Sequence, residues 1–182
     1  MLDASGKVIG EFWNAGYLKD LAFYDINGDG REELFVCGVN NEYKGGCLIV
    51  FDPRNIAGGS PQGGDYVCKD IGPGTMLYYV TTPFADVSAG RRHPVEGLRL
   101  VEITSNNWIR TIAAMGLIYE FDFNLACVQA SWGNGFVVEH FELRRAGAIT
   151  SVLNEDYRKS LREGIRYWNG SAFVAEPAMV RR

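Results

Sequence analysis

The chain has 182 residues, 47% of them hydrophobic and 22% charged, with a formal net charge of −4. That is enough for one domain with a hydrophobic core and short for two. The mild negative charge argues against a nucleic-acid partner, which would need a basic stripe facing phosphates, and no apolar run reaches the ~18 residues of a membrane span.

The 22 glycines favour a turn-rich, strand-rich fold. The N-terminus, "MLDASGKVIG", lacks the basic and apolar regions of a signal peptide. It reads as part of a strand-turn-strand unit with Asp3, Ser5 and Gly6 in the turn, so the chain is expected to be a fragment or C-terminal domain of a longer protein. Lys7 to Trp13 and Leu18 to Tyr24 read as short strands. After an acidic loop come a buried strand, Leu34 to Val39, a turn, Asn40 to Gly46, and a further strand, Cys47 to Asp52. Together they predict a four-stranded meander.

Pro53 to Gly74 is dense in Gly, Pro, Ser and Asn and is expected to be the least regular segment, functional or mobile. Strands resume with "TMLYYVTT". "GLRLVEI" and "NWIRTIAAM" predict a hairpin across Thr104 to Asn107, and "GLIYEFDF", "ACVQASW" and "GFVVEHFEL" follow. Read as one strand, the last places Val137, Glu139, Phe141 and Leu143 on one face, and Val138, His140 and Glu142 on the other. "NEDYRKSLREG" predicts a helix capped by Asn154, with Glu155 and Asp156 at its positive end, Arg158, Lys159 and Arg162 toward the negative end, and Gly164 as its stop. Tyr157 and Leu161 share the face that must dock on the sheet. "RYWNGSAFV" then reads as a hairpin with a two-residue Asn169-Gly170 turn, which sets Tyr167 opposite Ala172. The expected architecture is a single mainly β domain over 1–182, antiparallel, with a blade-like unit over 1–53, a second β part over 75–182, one short helix and a final hairpin.

The chemistry concentrates in "DINGDGREEL". Calcium takes six to eight oxygen ligands at about 2.3–2.6 Å in a forgiving geometry. Asp25, Asn27 and Asp29 stand at positions one, three and five of such a loop, Gly28 and Gly30 permit its backbone angles, Arg31 at position seven offers its carbonyl, and Glu33 at position nine closes the shell. An EF-hand needs a bidentate carboxylate at position twelve; that position is Val36, and strands rather than helices flank the loop. A metal-free turn built on Asx side chains is the plain alternative. With Asp25, Asn27, Asp29, Gly30, Glu33 and the following "LFV", the loop resembles the calcium loops of FG-GAP and VCBS repeats, the blade units of integrin-like β-propellers. The resemblance runs on into "GVNNEYKGGCLIVFDP", as in bacterial blades of this kind, and covers about the first third of the chain. It implies a bound Ca2+ that stiffens the blade, a ligand bound elsewhere, and an extracytoplasmic setting.

Other candidates carry less. No CxxC pair accompanies Cys37, Cys47, Cys68 and Cys127, and two histidines leave little for zinc. Cys37 and Cys47 flank a hairpin and could face each other, although buried free thiols fit better. His140 with Glu142, and Arg91, Arg92 and His93 in "AGRRHPVEG", read as solvated polar residues before they read as a metal or anion site. No GxSxG, HExxH, P-loop or GxGxxG occurs. Trp13, Trp108, Trp132 and Trp168 would form a sugar or peptide platform if exposed, with core burial the default. The expectation is therefore a non-enzymatic, calcium-stabilised β domain that binds or scaffolds within a larger protein, its partner an unidentified protein or carbohydrate. A carbohydrate- or peptide-binding module is the first alternative. A hydrolase domain with unidentified carboxylates is the second.

Overall fold

The computed structural model describes residues 1–65, 67–83, 98–104, 108–112, 117–132, 136–139, 142–145 and 155–180. The fold is mainly β and antiparallel, as the sequence predicts, with a single α-helix among the described residues. The strands are β1 (Leu18–Tyr24), β2 (Glu33–Asn40), β3 (Gly45–Phe51), β4 (Tyr78–Pro83), β5 (Arg99–Thr104), β6 (Trp108–Ile112), β7 (Leu117–Asp122), β8 (Cys127–Trp132), β9 (Phe136–Glu139), β10 (Glu142–Arg145), β11 (Arg166–Trp168) and β12 (Phe173–Val174); the helix is α1 (Glu155–Glu163). A six-stranded sheet runs β1-β2-β3-β4-β11-β12, a four-stranded sheet runs β5-β6-β7-β8, and β9 and β10 form a separate hairpin.

β2 and β3 are buried throughout, which explains their unbroken apolar runs. One face of the large sheet carries Phe35, Cys37, Leu48, Val50, Val80 and Tyr167 into a core completed by Ile109, Tyr119 and Phe121 of the four-stranded sheet and Leu161 of α1. The other face carries Leu34, Val36, Cys47, Ile49, Phe51 and Tyr79, covered by Phe12, Ile56, Met76 and Val180. At 25 cal/mol per Å², each fully buried large apolar side chain here contributes about 1.5–3 kcal/mol. Asp20 ties β1 to the second sheet: its Oδ2 accepts from Arg99 Nε and from the Leu100 N–H at 3.1 Å. Where β1 shifts register between Leu18 and Asp20, Gly38 is required, because a side chain there would run into the Tyr17 carbonyl.

On the outer face a buried polar knot fixes the covering segments. Asn40 Nδ2 donates to Tyr79 Oη, Tyr79 Oη donates to Asn14 Oδ1 at 2.9 Å, and Asn14 Nδ2 donates to the Val39 carbonyl at 2.7 Å. Each polar group thereby recovers the hydrogen bonding it lost on leaving water.

Several expectations are corrected. Lys7 to Trp13 forms no strand of the sheet. Its backbone turns to the long loop, with Glu11 N–H donating to the Ile56 carbonyl and Trp13 N–H to that of Gly58, and only isolated bridges result. The meander is therefore β1-β2-β3-β4. "GFVVEHFEL" is two strands rather than one: β9 and β10 pair antiparallel with Glu142 opposite Glu139. The final hairpin pairs Trp168 with Phe173 and Tyr167 with Val174, not Tyr167 with Ala172. The Asn169 side chain captures the Ser171 and Ala172 N–H groups at 3.0 and 2.9 Å, which lengthens the turn. Cys37 and Cys47 lie on opposite faces of the sheet, in separate cores, and all four cysteines are free thiols. Pro53 to Gly74 is irregular as expected, yet Gly59 bridges both Trp13 and Pro73, so part of the loop is packed structure. Asn154, the 105–107 turn, Arg91, Arg92, His93 and His140 lie outside the described residues.

Candidate metal centre in the acidic loop

The loop joins β1 to β2, the edge hairpin of the large sheet. Its chain reverses around Asp25: Oδ1 accepts the N–H groups of Gly28 (2.8 Å) and Asp29 (3.1 Å), and Oδ2 accepts that of Gly30 (2.7 Å). Asn27 Oδ1 accepts the Asp29 N–H at 2.8 Å, and Asp29 Oδ1 accepts the Arg31 N–H at 2.9 Å. Gly28 (φ 74°) and Gly30 (φ 82°) take the left-handed conformation that this tight curl requires.

Glu33 opens β2 and folds back over the loop entrance. Its Oε2 accepts the Ile26 N–H at 3.0 Å and its Oε1 accepts from Asn27 Nδ2 at 3.1 Å. Burial pushes the Glu33 carboxyl above its ordinary range, the Ile26 N–H opposes that, and the nearby Asp29 and Asp25 charges push it further up. Arg54, bound bidentately by Asp52 at 2.8 and 2.7 Å, also feels Asp29 and Glu33. The loop is thus a concentration of negative charge that one neighbouring guanidinium offsets only in part.

The donor set suits a hard cation: Asp25, Asn27, Asp29 and Glu33 offer side-chain oxygens and Arg31 a carbonyl. The shell is not preformed. Among the described residues no three His, Cys, Asp or Glu side chains stand close enough together to hold a metal. An ion would have to draw Asp29 and Glu33 inward and turn the Asn27 amine away from Glu33. Without an ion, the same oxygens cap the loop's own N–H groups, as in a plain Asx turn.

Beside the loop lies an open cleft of about 390 Å³ lined by Phe23, Arg31, Glu32, Glu33, Asp52, Pro53 and Arg54. It brings carboxylates together, but both Glu33 oxygens accept hydrogen bonds and the Asp52 carboxylate holds Arg54. The buried thiols are poor nucleophiles: burial pushes Cys47 up to about 12 and Cys37 well above the usual range. Against the burial expected of tryptophans, Trp13 and Trp108 are exposed; Trp13 belongs to the segment beneath the outer face and Trp108 to the second sheet. They do not make one platform.

No protein-family model matches the chain, and neither the curated proteins nor the solved structures contain a match.

Proposed function

We propose that the chain is a calcium-stabilised, non-enzymatic β domain with a binding or scaffolding role in a larger protein. Asp25, Asn27, Asp29, the Arg31 carbonyl and Glu33 are the ligands of one Ca2+. The observation that carries this reading is Glu33 folded back onto a loop whose Asp25 and Asp29 already repel it; a divalent cation relieves that repulsion. Because the shell must close on the ion, affinity falls in the weak class of extracellular calcium modules, Kd ~10⁻⁴–10⁻³ M. The ion then stiffens the β1–β2 hairpin at the sheet edge. The resemblance to FG-GAP and VCBS loops supports an extracytoplasmic setting, where calcium is abundant. Among the described residues no helix is long and apolar enough to cross a membrane.

The test is thermal unfolding with and without calcium. Ten Kd of free ion gives about 1.4 kcal/mol through RT ln(1 + [L]/Kd), a rise of a few degrees. Magnesium should do less, since it demands a tighter octahedron. An equal midpoint in calcium and in chelator would reject the reading.

A further inference from the structure

Asn-Gly occurs three times in the chain, at Asn27, Asn134 and Asn169. In this dipeptide the backbone nitrogen of the glycine can attack the preceding side-chain amide with no Cβ in the way. Asn134 lies outside the described residues. The other two sit in turns of the same design, and their surroundings separate them.

Both side chains fold back onto their own backbone. Asn27 Oδ1 accepts the Asp29 N–H at 2.8 Å, and Asn169 Oδ1 accepts the Ser171 N–H at 3.0 Å. Each bond closes a ring that contains the amide carbon Cγ and the nitrogen of the following glycine, so electrophile and nucleophile are held together. At Asn169 the same oxygen also accepts the Ala172 N–H and the Ser171 hydroxyl, both at 2.9 Å. Three donors thus converge on the oxygen that takes up negative charge during attack. Gly170 is exposed, and among the described residues nothing accepts its N–H. At Asn27 the glycine N–H is donated to the Asp25 carboxylate at 2.8 Å, and the amide nitrogen donates to Glu33 Oε1 at 3.1 Å. A carboxylate on the N–H opposes its deprotonation, and both negative charges oppose a developing oxyanion.

We infer that Asn169 is a site of spontaneous modification, deamidating through a cyclic imide in the folded chain while Asn27 is spared. Hydroxide takes the Gly170 amide proton. The nitrogen attacks Asn169 Cγ, forming a new C–N bond, and the charge passes to Oδ1 among its three donors. As the carbonyl re-forms, the Cγ–Nδ2 bond breaks, and Nδ2 takes a proton from water and leaves as ammonia. Water then opens the ring at one carbonyl or the other, giving aspartate or isoaspartate. Nothing is oxidised or reduced, and water is the only co-reactant. The isoaspartate form adds a methylene to the main chain between Trp168 and Phe173, whose rings pack at 5.2 Å. The inference does not rest on calcium.

Peptide mapping by mass spectrometry tests it, on the full chain aged at mildly alkaline pH in chelator, folded and in guanidinium chloride. In the folded chain Asn169 should convert about tenfold faster than Asn27 or more, and faster than it does itself in denaturant. In denaturant the two rates should converge. Ser171→Ala, at an exposed position, removes one donor and should slow Asn169 severalfold in the folded chain, with its rate in denaturant and the near-UV circular dichroism unchanged. Equal rates at the two sites in the folded chain would overturn the inference. So would faster conversion of Asn27, slower conversion of Asn169 folded than unfolded, or a folded rate indifferent to Ser171→Ala.

Discussion

Asn27 and Glu33 close the acidic loop across its mouth, the Asn27 Nδ2 donating to Glu33 Oε1 at 3.1 Å. The pair holds the start and end of the β1–β2 connection together. Asn27→Ala removes this bond and one proposed calcium ligand together. The expected result is a loss of about 1 kcal/mol in metal-free stability and a smaller calcium-induced rise in melting temperature. Glu32→Ala, one residue from the pair and exposed, should change neither.

Tyr79→Phe tests the buried knot. Removing the hydroxyl deprives the Asn40 amine of its acceptor and Asn14 Oδ1 of its donor. An orphaned buried polar group costs about 1–3 kcal/mol, so the urea midpoint should fall by that equivalent. The near-isosteric ring leaves the packing intact, so a larger fall would point to repacking, and no fall to water replacing the hydroxyl.

Alkaline stability follows from Tyr167. Burial pushes this phenol up to about 12, against the opposing Cys127 N–H that it accepts. The unfolded chain ionises near 10 while the folded chain keeps its proton, so the folded state binds more protons in that window. Stability is therefore lost as pH rises from about 10 toward 12. Tyr167→Phe should flatten part of that loss in denaturant melts across the window. An unchanged slope would show that the phenol ionises freely in the fold.

The C-terminal unit is integral to the sheet. β11 pairs with β4 through Arg166–Thr81 and Tyr167–Val80, Tyr167 lies in the main core and Val180 in the outer one. Truncation after Gly164 should lower the denaturant midpoint and promote aggregation through exposed core surface. An unchanged midpoint would make the unit an appendage.

The fold was legible where burial dictates composition. β2 and β3 read correctly because both their faces are covered, and so did α1, whose charges follow the helix dipole. Lys7 to Trp13 was misread because alternation reveals an extended chain without naming its partner, here the 56–58 backbone. The break between β9 and β10 carries no turn residue in "VEHFE", and the Asn169 turn is longer because its side chain captures the Ser171 N–H that a two-residue turn would give to the Trp168 carbonyl. The ligand spacing of the acidic loop was legible residue by residue. The self-capping of its oxygens was not, because spacing does not say whether an oxygen faces an ion or an amide.

Calorimetric titration of chelator-stripped protein with calcium tests the central claim most directly. One site is expected, with Kd ~10⁻⁴–10⁻³ M, lost in Asp29→Ala while the fold persists by circular dichroism. Absence of binding heat at millimolar calcium, with no thermal shift in the same buffer, would contradict it and leave the loop as a turn stabilised by its own side chains.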